Sequence, residues 1–250
     1  MDITKAKGIL IAIFLTILFL PVFLPQIDLE ISSLFYLPEK GFPLANDSIF
    51  TWIHWLTPIV AWVVGGTLIG GLALTALCRK PTCARYRKGI SFLILVLFIG
   101  AGLIVNLGFK DNWGRDRPRE IVQFGGTEKF TPALVPQFEK ASKNGSFVCG
   151  DGAFGFFMPA FGYVAPLSFS RYVFWLGMGV GVIFSSARLV VGAHFFSDIV
   201  CAAFLMLTVA AGIHMLMFGK EETGARLRLF FAIRNPSTNE SKRYLRHLPK

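Results

Sequence analysis

Long apolar runs, at about residues 8–24, 49–77, 89–109, 153–167, 172–191 and 196–218, constrain this chain more than any other feature. A helix needs roughly 20 predominantly apolar residues to cross a bilayer, and most of the runs lie near or above that length. Only 16% of the 250 residues are charged, against roughly 25% in soluble domains, while 54% are hydrophobic. The chain therefore reads as an all-α membrane protein of six transmembrane helices, one domain over residues 1–219. A basic tail, 220–250, has no sustained apolar period and reads as a surface segment.

The first run follows Lys5 and Lys7, as a signal peptide would. No small-x-small cleavage site follows it, and Pro21 and Pro25 close it, so it reads as an uncleaved helix. The second run is longer than one span requires. Residues 49–55, with Trp52, His54 and Trp55, have the aromatic character of an interfacial turn, and the span proper is expected to begin near Pro58.

Short loops set the orientation. Arg79, Lys80, Arg85, Arg87 and Lys88, then Arg171, then the tail, fall on the same side of a six-span chain as Lys5 and Lys7. Asp28, Glu30, Glu39 and Asp47 fall on the other side. By the positive-inside rule both termini are cytoplasmic, and the net charge of +10 reflects topology better than nucleic-acid binding. Cys78, Cys83, Cys149 and Cys201 show no spacing of a zinc site or disulfide framework, and no structural disulfide is expected.

Three polar clusters then meet at the outer face. In the segment 185–198, Arg188, His194 and Asp198 interrupt an apolar sequence. Four residues apart on a helix, His194 and Asp198 share a face, where a carboxylate can hold an imidazole by its second nitrogen. Ionisable groups at a membrane edge point to function; the plainer alternative is an interfacial arginine and a core histidine. The segment 110–118 brings Lys110, Arg115 and Arg117 together, with Arg119 just beyond. Guanidinium forks suit bidentate phosphate contacts, though a solvated basic loop would have the same composition. The segment 146–153 opens a helix with Gly150 and Gly152, whose backbone N–H groups suit an anion, although glycine also serves plain tight turns.

Taken in order, K-x6-R-P (Lys110, Arg117, Pro118), a glycine turn after Ser146-Phe147, and S-A-R-x5-H-x3-D (Arg188, His194, Asp198) resemble the three-part motif of the type 2 phosphatidic acid phosphatase superfamily. The resemblance implies a six-helix lipid phosphatase core. It implies that His194 is the nucleophile forming a phosphohistidine, that Asp198 orients it, and that Lys110, Arg117 and Arg188 cradle the phosphoryl oxygens. It implies no metal or other cofactor, and none of the acidic clusters reads as a magnesium site. These roles suit phosphoryl transfer, which needs positioning and charge stabilisation above all.

The middle motif departs from the family pattern P-S-G-H, for which this chain has Val148, Cys149, Gly150 and Asp151. Gly150 keeps its place; Cys149 offers a weaker donor than the usual hydroxyl at a phosphate-binding position. Asp151 stands where a histidine normally protonates the leaving alcohol. It serves as that acid only if its pKa is raised. The alternatives are a substrate group, a water or His54, for which an interfacial structural role is the first expectation. His214 and His247, on the cytoplasmic side, receive no role.

An acidic residue in this turn is similar to the lipid A 4′-phosphatase branch. That branch implies an enzyme of the bacterial inner membrane whose active site faces the periplasm, with lipid A or another membrane phospholipid and the bilayer as partners, and no nucleic acid. The long polar segment, with Gln123, Glu128, Lys129 and Lys140, would cover the head group. Phosphatases of undecaprenyl pyrophosphate or phosphatidylglycerol phosphate, a lipid phosphotransferase, and a non-catalytic lipid-binding or transport protein remain the alternatives. Elsewhere, Phe154, Phe156, Phe157 and Phe161 read as packing or lipid-facing residues, and Gly177, Gly179 and Gly181 as sites of close helix approach.

Overall fold

A computed structural model describes Thr16, residues 19–140 and residues 145–231. The fold is helical: α1 (Gln26–Ser33), α2 (Ser48–Leu77), α3 (Pro81–Lys110), α4 (Gly150–Phe157), α5 (Ala160–Val164), α6 (Leu167–Val190), α7 (Phe196–Phe218) and α8 (Lys220–Phe230). Among the described residues four helices, α2, α3, α6 and α7, are long and apolar enough to cross a membrane. The first expected span lies largely outside the described residues; its helical end, 19–23, packs Phe19 edge-on against Phe204 of α7.

Two expectations about the spans change. Helix α2 does not begin near Pro58. Asp47 caps it by accepting the Ile49 N–H at 2.8 Å, and the helix runs on through Pro58, so residues 49–55 are helical and carry His54 on a long rigid element. The expected fourth span, 153–167, is two short helices, α4 and α5, broken at Met158–Pro159. Proline has no N–H to donate, and its ring crowds the carbonyl four residues back.

That break is where α6 packs. A Cβ on Gly177 would lie 2.5 Å from the Pro159 nitrogen, and one on Gly155 would lie 2.7 Å from the Gly181 Cα. Glycine at these crossings lets the backbones touch, whereas Gly179 has nothing within 4 Å. Phe154, Phe156 and Phe157 of α4 are buried in the resulting core with Phe92, Val105, Tyr163, Phe174 and Met206. Helix α2 instead leaves Trp52, Trp55, Ile59 and Trp62 exposed, the apolar exterior of a helix that faces lipid.

Contrary to expectation, Cys78 and Cys83 form a disulfide, with Cα atoms 6.0 Å apart across the turn into Pro81. The starts of α2, α4 and α7 and the ends of α3 and α6 gather at the opposite end of the bundle. The connection from α3 to α4 folds over that end, its Ile121 and Phe124 packed with Phe42 and Phe195 in a second small core.

Candidate active site

The gathered helix ends enclose an open cavity of ≈ 270 Å³ lined by His54, Lys110, Arg117, Arg119, Asp151, Arg188 and His194, with Ala45, Phe50, Thr51 and Val191. Lys110 is the last residue of α3, and Arg188 lies in the last turn of α6. Arg117 is held by its own turn, where Glu120 accepts its backbone N–H at 2.9 Å. Arg119 docks through its backbone N–H on the Gly192 carbonyl at 3.1 Å. Gly192 has a φ of +64°, and a Cβ there would lie 2.5 Å from the Phe42 ring, so glycine alone suits the link into α7.

His194 sits in that link, 2% exposed. Its Nδ1 lies 2.7 Å from the Ser146 carbonyl oxygen, which can only accept, so Nδ1 carries the hydrogen and Nε2 is left with its lone pair. Burial, opposed by Asp198 but aided by Arg117 and Lys110, pushes the His194 pKa down to about 4. The imidazole is therefore neutral at pH 7, the form in which it is a nucleophile.

The expected partner, Asp198, is 3.7 Å from Nδ1 and not its hydrogen-bond acceptor. The carboxylate instead accepts from the Ser146 hydroxyl at 2.6 Å and the Phe195 N–H at 2.8 Å. It thus fixes the residue whose carbonyl holds the ring, and orientation of His194 passes through Ser146.

Arg115 does not join the cavity, as the sequence cluster suggested. It is 1% exposed and turns beneath the site, bonded to Asp198, to Ser197 at 2.9 Å and to Asp28 at 2.9 Å. Asp28, from α1, also accepts the Ser197 N–H at 2.9 Å. Burial pushes the Asp28 carboxyl up against the pull of Arg115, and nearby Asp198 adds to the rise. One guanidinium thus joins two buried carboxylates under His194, and Asp28 is the member that the sequence did not mark.

Asp151 also departs from expectation. Burial alone would raise its pKa, but a hydrogen bond with His54 and the charge of Arg188 outweigh burial and hold the carboxyl below its ordinary range. Its Oδ2 is 3.0 Å from His54 Nδ1 and 3.0 Å from Arg188 Nε. Asp151 is therefore ionised at neutral pH and is no proton donor. His54, expected to be interfacial, faces the cavity.

Cys149 is fully buried; its sulfur caps α4 by accepting the Gly152 N–H at 3.3 Å, and its thiol does not line the cavity. Burial pushes that thiol up to about 12, which makes it inert. Gly150 lies under Lys110, where an added Cβ would be 3.0 Å from the ammonium nitrogen. In the covering segment, Lys140 pairs with Glu128 and, at 3.2 Å, with Asp116, which ties the segment together.

The electrostatics favour an anion. Burial and the neighbouring guanidinium groups of Arg119 and Arg188 lower the Arg117 pKa, so the cations crowd one another. Four cationic side chains and one carboxylate line the cavity, and a phosphoryl group would relieve their repulsion. Among the described residues no group of three or more His, Cys, Asp or Glu is placed to hold a metal ion.

The PAP2 superfamily profile matches residues 91–222, which span every ionisable group of the site except Asp28 and His54. A lipid A 4′-phosphatase of Francisella tularensis subsp. novicida (strain U112) is 34% identical over 226 residues, covering 86% of this chain and 96% of its own length. A lipid A 4′-phosphatase of Rhizobium leguminosarum is 26% identical over 202 residues, covering 76% of this chain and 86% of its own length. Another, from Rhizobium etli, is 28% identical over 206 residues, covering 76% and 78%. No solved structure gives a significant match.

Proposed function

This chain belongs to the PAP2 superfamily and is a membrane phosphatase, and from that premise we propose that it removes the 4′-phosphate of lipid A. The observation that carries the reading is a neutral, buried His194 at the floor of a cavity ringed by Lys110, Arg117 and Arg188. In the proposed reaction His194 Nε2 attacks phosphorus in line with the leaving sugar oxygen, giving a phosphohistidine. Water then attacks phosphorus, the P–N bond breaks, and inorganic phosphate leaves. The three cations stabilise charge on the equatorial oxygens through both steps, with no metal taking part. Asp198 orients the nucleophile by way of Ser146, and Gly150 keeps room for the Lys110 ammonium.

The proposed setting is an inner membrane crossed six times, both termini cytoplasmic and the cavity facing the periplasm. The charge of the opposite end supports it: Arg79, Lys80, Arg85, Arg87 and Lys88 lie there, away from the cavity. The acyl chains would stay in the bilayer while the phosphosugar enters beside α2.

The test is phosphate release by purified wild-type and His194→Ala protein in detergent with chelator. The substrates are lipid A, undecaprenyl pyrophosphate, phosphatidylglycerol phosphate and phosphatidic acid. Release from lipid A that is lost in the variant is expected. Release from another lipid alone would move the substrate, and release by His194→Ala at the wild-type rate would overturn the mechanism.

A further inference from the structure

Breaking the bond from phosphorus to a sugar oxygen requires a proton on that oxygen as it leaves, since an alkoxide is a poor leaving group. Seven titratable side chains line the cavity. Lys110, Arg117 and Arg188 serve the phosphoryl charge, and guanidinium groups, that of Arg119 included, do not give up protons. Asp151 is ionised and holds none. His194 is committed as nucleophile, with its one hydrogen bound to a carbonyl.

We infer that the seventh, His54, is the general acid of the first step and the general base of the second. The inference rests on the reading of His194 as nucleophile and extends it to the leaving group.

The geometry of His54 suits that task. It comes from α2, a helix capped by Asp47 seven residues earlier, and its side chain is 46% exposed, open to the cavity and to water. Its Nδ1 is 3.0 Å from Asp151 Oδ2. An ionised carboxylate only accepts, so Nδ1 keeps its hydrogen and Nε2 is the nitrogen that exchanges a proton. Asp151 is itself steadied by Arg188 Nε at 3.0 Å. A carboxylate on α4 and an imidazole on α2 thus form one unit across two helices, 97 residues apart in sequence.

The proton balance is complete. As the P–Nε2 bond to His194 forms and the P–O bond to the sugar breaks, His54 Nε2–H passes its proton to the departing oxygen. In the second step a water oxygen bonds to phosphorus, and the P–N electron pair returns to His194. The proton released by that water reloads His54 Nε2. Asp151 never loses or gains a proton; it is a positioning residue that holds the ring by its Nδ1–H and aims Nε2 at the cavity.

A general acid matters only when the leaving group needs one. The test therefore compares two acylated substrates in single-turnover phosphoenzyme formation, a glucosamine 4-phosphate and a 4-nitrophenyl phosphate. The nitrophenolate leaves without help. For His54→Gln we expect a loss of about 10²–10⁴-fold on the sugar phosphate. On the nitrophenyl phosphate the loss is expected to stay within about tenfold, which also proves the variant folded and able to form phosphohistidine. Asp151→Asn should show the same leaving-group bias, to a smaller degree, alongside any general loss through Arg188. Equal losses on both substrates in His54→Gln, or no loss on either, would overturn the assignment. His194→Ala must abolish phosphoenzyme with both substrates; if it does not, the underlying reading of His194 fails instead.

Discussion

At the end of the bundle away from the cavity, His214 is as deeply buried as His194, at 0% against 2% exposed, and it too lies near a buried arginine. Its Nδ1 pairs with the Thr223 hydroxyl at 2.7 Å, and its ring stacks on Phe218 with Tyr163 and Phe92 around it. Arg226 there donates to the Ala165 carbonyl at 2.7 Å and to the Ser170 hydroxyl at 3.1 Å. Those acceptors are neutral, the charge of Arg226 is balanced by Glu222 at 3.9 Å, and aromatic rings fill the space beside the imidazole. At the cavity end one nitrogen of His194 is held and the other faces a surplus of cations. Burial of a histidine and an arginine is common to both ends. Surplus charge around a space is what distinguishes the site.

The comparison breaks most directly at the two histidines. His194→Ala should cost activity on the order of 10⁴-fold or more, as removal of a nucleophile does elsewhere. His214→Phe should leave kcat within about threefold, because nothing at that end touches substrate, although it removes a buried hydrogen bond worth roughly 1 kcal/mol. Steady-state assays on both variants decide it, and a comparable loss in His214→Phe would show that the two ends are coupled.

The next difference lies in the arginines. Arg115 neutralises Asp28 and Asp198 together, so Arg115→Met leaves two buried carboxylates without their cation. A loss of about 3–5 kcal/mol in unfolding free energy is expected, beside about 1–3 kcal/mol for Arg226→Met, whose hydrogen-bond acceptors are neutral and whose ion pair with the half-buried Glu222 is long at 3.9 Å. Denaturation in one detergent would rank the two, and equal losses would deny the buried network its special place. Arg188→Ala, at the cavity itself, should slow phosphoenzyme formation by about 10²–10³-fold, the scale for one lost donor to a developing anion. A near-unchanged rate would remove Arg188 from the cradle.

The same contrast separates what the sequence could reveal from what it could not. Lys110, Arg188 and His194 stand out because each is a polar residue at or beside the end of an apolar run, and Arg117 because it follows Lys110 in the same short basic cluster. Asp28 and His54 reach the site from 87 residues before Arg115 and 97 before Asp151, and no local pattern encodes such approaches. Arg115 and Arg117 look alike in sequence, yet buried carboxylates draw one beneath the site while the other lines it. The same holds for Asp151, whose low pKa follows from His54 and Arg188 and not from its own neighbours in the chain. Pro58 and Pro159 have opposite outcomes, one inside a continuous helix and one at a break. The backbone of α6 at Gly177 presses directly on the second.

A smaller effect tests the His194 environment without any substrate. An unperturbed imidazole titrates near pH 6.5, and His194 in the folded protein near 4. Between those values the unfolded chain binds a proton at this residue and the folded chain does not, so acid favours unfolding. The contribution is complete above about pH 6.5, falls as pH drops through that window, and changes no further below the folded pKa near 4. The slope approaches about 1.4 kcal/mol per pH unit within the window. Other groups titrate there too, but most are common to wild type and His194→Gln, so the difference between the two stability–pH curves isolates this one. The wild type should lose about 1 kcal/mol more than the variant between pH 6.5 and 5.5. Parallel curves would mean that His194 is protonated as readily in the fold as out of it. An imidazole titrating near 6.5 is still mostly neutral at pH 7, so that outcome would overturn the desolvated environment of His194 and leave its role as nucleophile to the phosphoenzyme assay.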